Sequence, residues 1–301
     1  MQIESQWLKP QQPGRRTQQD HALLRWSLIA AALAVIAVLV IIPVISIFAQ
    51  AFGKGWTVYW RSLTSDPDTW HAIKLTAFVA PIAVLANVTF GIAASWAITR
   101  FRFPGRTLLT TLIDLPFAVS PVVAGLMITL LFGRRGYFGP WLLDHGIQIL
   151  FSWPAIILAT TFVTFPFVAR ELIPVMDALG SDEETAAVSL GASGWQMFWR
   201  VTVPNIKWGL LYGVILCSAR AIGEFGAVYV VSGHIAGQTD TVPIRIEKLY
   251  QEYNNAAAFA VASLLTLLAL VTLGIKVVLE GKTRQELADA AAVQQGPEVE
   301  K

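Results

Sequence analysis

The sequence predicts an all-α membrane protein with six transmembrane helices. Three observations carry that expectation: 55% of the 301 residues are hydrophobic and only 14% charged, the mean hydropathy is +0.57, and the apolar residues gather into runs long enough to cross a bilayer. A span needs about 20 mostly apolar residues, because each adds about 1.5 Å and the hydrocarbon core is about 30 Å thick. The 22 basic and 20 acidic residues leave a net charge of +2, so no overall field points to nucleic acid or an acidic substrate. Cys217 is the only cysteine, which excludes an internal disulfide and a cysteine-built zinc or iron–sulfur site.

The first apolar run extends from Trp26 to Ala49. Arg25 before it and Ala49-Gln50-Ala51 at its end imitate a signal peptide and its cleavage site, but a cleavable apolar region is about 7 to 15 residues. This run is longer, so it reads as a retained anchor. The second covers Leu75 to Ile98. The third, Leu108 to Phe132, contains Asp114 and two prolines, Pro116 and Pro121. Proline donates no backbone hydrogen bond, so this stretch is not expected to be a regular helix; its freed backbone groups either line a cavity as a gate or are satisfied by kinked packing. The fourth covers Trp153 to Val175 with Arg170 and Glu171, the fifth Trp208 to Val231 with Arg220 and Glu224, and the sixth Ala256 to Leu279 with Lys276. One membrane domain over residues 25–280 results. Segments 1–24 and 281–301 are polar, without a sustained apolar face, and are expected to be mobile.

Lysine and arginine favour cytoplasmic loops. With the amino terminus inside, the inner segments hold thirteen of the 22 basic residues and the outer segments seven, so both termini are expected in the cytoplasm. Trp56, Trp60, Trp70 and Trp141 fall in outer loops near span ends, where indole rings anchor at the headgroup level.

The loop at 177–207, between spans four and five, then lies on the cytoplasmic side. Ser181 or Asp182 can cap a short helix, Glu183 and Glu184 suit its positive end, and Gly191 can supply the turn that ends it. A second short helix carries Trp195, Met197, Phe198 and Val201 before Pro204. Small residues at Ala186, Ala187 and Gly191 permit close approach, and the aromatics offer apolar area to a groove; a helix lying on the membrane surface is the alternative.

"TAAVSLGASGWQMFWRVTVP" at 185–204 resembles the coupling loop of bacterial ABC import permeases. That family reads E-A-A, three residues, G, nine residues, I-x-L-P, and Ala186, Ala187, Gly191, Val201, Val203 and Pro204 fall at its places. Thr185 stands where the family has Glu, with Glu184 one residue earlier. "FRFPGR" at 101–106, "DLPFAVSPVVAGL" at 114–126 and "ARAIGEFGAVYVVSG" at 219–233 are similar to the sulfate/thiosulfate branch, W-type, along nearly all of residues 25–280, with molybdate permeases more distant. The resemblance implies an ABC importer permease fold with a cytoplasmic coupling-helix loop in the bacterial inner membrane. It also implies a T-type permease partner, two ATPase subunits carrying ATP and Mg, and a periplasmic sulfate-binding protein. This chain would bind no cofactor and hydrolyse nothing. Gly281-Lys282-Thr283 is no phosphate loop, because Lys276 replaces the leading glycine and the triplet follows an apolar helix rather than a strand.

Ionisable groups inside spans mark pathways or buried pairs. Arg220 and Glu224, four apart and expected on one helix face, form either a structural pair or part of an anion path with Glu224 as a switch. Gly209 and Gly213, and Ala219 and Gly223, have small-residue spacing suited to close helix contact and to a subunit interface. A membrane enzyme is the competing class, since Gly191-Ala192-Ser193-Gly194 reproduces a G-x-S-G string. All four histidines, His21, His71, His145 and His234, fall outside the spans, leaving a buried serine without a base. A secondary transporter is the other rival and would need no ATPase.

Overall fold

The computed structural model describes residues 22–294, with side chains from Leu24 to Lys282. Segment 1–24 up to residue 21, and residues 295–301, lie outside the described residues. The elements in chain order are α1 Leu24–Phe52, α2 Trp56–Thr64, α3 Pro67–Arg100, α4 Arg106–Ala118, α5 Pro121–Phe132, α6 Gly139–Asp144 and α7 Trp153–Leu179. They continue with α8 Asp182–Ser189, α9 Gly194–Asn205 and α10 Lys207–Ile222, α11 Gly226–Ser232, α12 Val242–Gln251 and α13 Asn255–Gln294.

Contacts divide the chain after Ser46 into two units. The first is helical, and its apolar side chains, among them Trp26, Leu33, Leu39 and Ile45, are exposed. The second begins at Ile47 and is built on α3. Asp66 caps that helix by accepting from the Asp68 N–H at 3.2 Å, and Pro67 takes the first position, where a missing N–H costs nothing. Leu75 and Val79 of α3 pack with Ala124 and Ile128 of α5, Ile156 of α7 and Val228 of α11. Ala80 and Val84 meet Val168 and Leu172 of α7 and Cys217 of α10, while Ala94 and Ile98 meet Ile113 of α4 and Ala169 of α7.

Four helices, α1, α3, α7 and α13 up to Lys282, are long and apolar enough to cross a membrane singly; six spans result if each of two bent pairs counts as one. The bent pairs correct two expected boundaries. The third run is broken between Ala118 and Pro121, where α4 and α5 meet at 110°. Pro116 stays inside α4 and Pro121 opens α5, so the second proline, whose predecessor Ser120 is held out of the helical region, makes the break. The fifth run, expected unbroken from Trp208 to Val231, ends at Ile222; Gly223, Glu224 and Phe225 separate it from α11. At its start α9 and α10 are bent by 71°. The last helix runs beyond the expected end at Leu279 to Gln294, because Gly281 is followed by good helix formers and the next proline is Pro297.

Gly209 and Gly213 serve packing within the chain. A Cβ on Gly209 would lie 3.0 Å from Val175 Cγ2, and one on Gly213 would lie 3.3 Å from Val168 Cα, so the small-residue stripe seats α10 against α7. The close helix contact expected from the spacing is thus present at Gly209 and Gly213; at Gly223, which ends its helix, an added Cβ would meet only the Ala219 carbonyl, at 3.6 Å. Gly213→Leu is therefore expected to cost about 1–3 kcal/mol through overpacking, read as a lower unfolding midpoint in detergent. Gly274→Leu, where an added Cβ meets nothing within 4 Å, should not lower it.

Candidate functional site

The 177–207 loop folds much as its sequence suggests. Ser181 sits at the amino end of α8, although its side chain makes no cap bond. Gly191 has φ +90°, a left-handed conformation that glycine adopts without strain, and a Cβ there would meet nothing within 4 Å. Ser193 and Gln196 then form a reciprocal capping box that starts α9. Leu190, Trp195 and Trp199 are exposed, at 89, 71 and 53%. Phe198 is not an exposed knob: its ring lies 5.4 Å from that of Trp96 in α3. Ala186, Gly191 and Pro204 are exposed, and Ala187, Val201 and Val203 half-buried.

Glu184, one residue before the place of the family's Glu, is buried, at 9% exposure. Its carboxylate accepts from Arg100 Nε at 2.7 Å, from Arg100 Nη2 at 3.4 Å and from the Thr202 hydroxyl at 2.8 Å, while Arg100 Nη1 donates to the Met176 carbonyl at 3.1 Å. One carboxylate thus ties the start of the loop to its end and both to the last residue of α3. Thr185, on the exposed side, donates its hydroxyl to the Ser181 carbonyl at 2.8 Å, a bond internal to the helix. Asn205 donates to Glu183 and adds a second tie across the loop. Arg100 and Thr202 carry no local sequence signal for this role, since their partner lies 84 and 18 residues away.

Arg220 and Glu224 do pair, but not as two positions of one helix. Glu224 follows the carboxyl end of α10, and its buried carboxylate both meets Arg220 and accepts from the Ala227 N–H at 2.9 Å, capping α11. Arg220 keeps about a third of its side chain exposed. The pair therefore sits at a helix break, where backbone geometry and charge are linked. Asp114 lies in α4, 3.6 Å from Arg170 of α7, both about half exposed. Arg170 also stacks on Phe117, 5.0 Å from the ring centroid. The sequence separates this pair by two elements, and the structure places it beside the 110° bend.

At the opposite end of α3, Arg245 of α12 donates to Asp66 at 2.6 Å and to Thr69 at 3.3 Å. Burial pushes the Asp66 carboxyl up, but the Thr69 hydroxyl and the Arg245 guanidinium outweigh it and hold it below the usual carboxylate range. Lys248 pairs with buried Asp240 at 2.6 Å. No cluster of three metal-ligating side chains exists among the described residues.

Residues 87–285 match the family described as binding-protein-dependent transport system inner membrane component. The chain is 55% identical over 262 residues to the sulfate transport system permease protein CysW of Escherichia coli (strain K12), covering 87% of this chain and 90% of that protein. It is 51% identical to the CysW of Synechocystis sp. (strain ATCC 27184 / PCC 6803 / Kazusa), covering 86% and 94%, and 38% identical to the sulfate transport system permease protein CysT of E. coli (strain K12), covering 79% and 86%. Its fold is similar to a chain of a bacterial alginate ABC transporter crystallised with an alginate-bound periplasmic protein, with a TM-score of 0.71 at 18% identity, covering 87% and 94%.

Proposed function

Because the chain belongs to the binding-protein-dependent transport system inner membrane component family, we propose that it is a sulfate permease subunit of an ATP-driven importer, with thiosulfate as an alternative substrate. The observation that carries the substrate is the 55% identity, over most of both chains, to a sulfate transport permease. The chain is a multi-pass inner-membrane protein and a transport subunit rather than an enzyme. Its half of the pathway pairs with a T-type permease, in keeping with its 38% identity to CysT, and a periplasmic binding protein delivers the anion. Two copies of a separate ATPase, holding ATP and Mg, drive the alternation between outward and inward states. Both termini face the cytoplasm, as the lysine and arginine bias supports.

Exposed Leu190, Trp195 and Trp199 form the apolar surface that enters the ATPase, with Ala186, Ala187 and Gly191 allowing its backbone close. Glu184 holds that surface in place from behind. Trp at 191 would have to take φ +90° and would fill the gap the partner needs. Gly191→Trp should leave the subunit in the membrane at its normal level while cutting uptake more than tenfold; full uptake by a well-expressed variant would refute the docking role. Arg220 adds positive potential to the anion path, and Asp114, Pro116 and Pro121 form the bend that gates it.

Labelled sulfate uptake in cells lacking this chain, with and without its gene, tests the function. Uptake should return with the gene, fall on excess thiosulfate, and vanish when the partner ATPase is deleted. Unchanged sulfate uptake on deletion, in cells with no other importer, would reassign the substrate, and molybdate would be the next to measure. Uptake surviving loss of the ATPase would instead make this a secondary transporter.

A further inference from the structure

The inner ends of α10 and α13 carry a cationic and aromatic cluster that the transport reading does not use. Lys282 Nζ lies 4.1 Å from the centroid of a Trp208 ring, and Lys207 Nζ lies 5.7 Å from the same indole. The two ammonium groups thus flank one indole, like charges that an anion between them would join. One helical turn along α10, Tyr212 receives Lys276 at 5.8 Å. Among the described residues neither Lys207 nor Lys282 enters an ion pair. Both are exposed, and Trp208 between them is half-buried.

Immediately beside this cluster the surface is apolar. Leu211 on α10 and Leu273, Val277 and Val278 on α13 are exposed. The geometry points to a site for an anionic phospholipid, whose phosphate bridges Lys207 and Lys282 over Trp208 while its acyl chains lie on Leu211, Val277 and Val278. An ammonium pair held on one indole provides the charge and the planar wall, and the neighbouring leucine and valines match a ligand that is anionic at one end and aliphatic at the other. Free phosphate satisfies only the first half. Basic groups between helices at the cytoplasmic border recognise anionic headgroups by this chemistry, each contributing about a fivefold change in binding.

Native mass spectrometry of the complete detergent-solubilised importer, titrated with phosphatidylglycerol or phosphatidylcholine, tests the site. Wild type should retain at least one phosphatidylglycerol that phosphatidylcholine does not replace. K207Q and K282Q should each weaken that retention about fivefold and the double variant about twenty-five-fold, whereas K54Q, in another part of the chain, should not change it. Retention equal between wild type and the double variant, with both complexes intact, would overturn the proposal. So would full displacement of the lipid by millimolar inorganic phosphate, which would identify a free-anion site. Because lipid retention is read without transport, this outcome is independent of which anion is carried.

Discussion

Glu184→Ala is expected to abolish sulfate uptake and to lower stability together. The carboxylate accepts from Arg100 and Thr202 in a site where both members of the ion pair are only about 11–12% exposed. Removing it leaves the guanidinium with only the Met176 carbonyl and no counter-charge. Breaking such a pair costs about 3–5 kcal/mol when it is fully buried, and its edge position argues for about 3 here. The midpoint of unfolding in detergent should fall by several degrees, and Trp195 and Trp199 should lose their fixed presentation, so ATPase activity no longer responds to loaded binding protein. Glu184→Gln separates two roles. It keeps an acceptor for Thr202 but loses the charge, and should be intermediate in stability. If Glu184 instead acted by touching the ATPase directly, Glu184→Ala would uncouple transport at unchanged stability, and that result would remove the structural tie.

Glu224→Ala is expected to have the next largest effect. Its carboxylate does two jobs at once, pairing with Arg220 and accepting from one free N–H, that of Ala227, in the first turn of α11. Loss of both should cost about 3 kcal/mol and cut uptake at least tenfold. Glu224→Gln retains an oxygen for the Ala227 N–H while discharging the pair, so it should hold the fold better than Glu224→Ala and still impair uptake. Arg220→Gln completes the comparison: normal membrane levels with full uptake would exclude Arg220 from the anion path and leave the pair a purely structural device.

The six apolar runs and the loop between the fourth and fifth were legible because length and hydropathy are local properties. The turn at left-handed Gly191 follows from residue type, whereas the capping box of Ser193 and Gln196 was not read from the sequence, where Ser193 stood only in the G-x-S-G string. The breaks were less legible. Pro116 and Pro121 announced an irregular third run but not which proline makes the turn, because a proline can sit within a helix when neighbouring groups absorb the lost bond. The break after Ile222 is marked by a single glycine, which in an apolar run looks the same as a packing position. The burial of Glu184 was not legible for a different reason: its orientation depends on Arg100, whose approach is a property of the folded bundle. Gly209 and Gly213 had the right spacing for close contact, yet spacing alone does not say whether the facing backbone belongs to this chain or to another.

The 34-residue helix α3 is fastened at both ends: at Asp66 to Arg245 of α12, and at Arg100 to Glu184 of the loop. At about 1.5 Å per residue it is a strut roughly 50 Å long, and a displacement travels along each unbroken arm of it as one body, without a relay of side chains. Its one interior proline, Pro81, donates nothing to the Ala77 carbonyl. Stiffness is lowest there, less than halfway along from Asp66, so a push at the loop would swing the longer arm whole and turn it about that point.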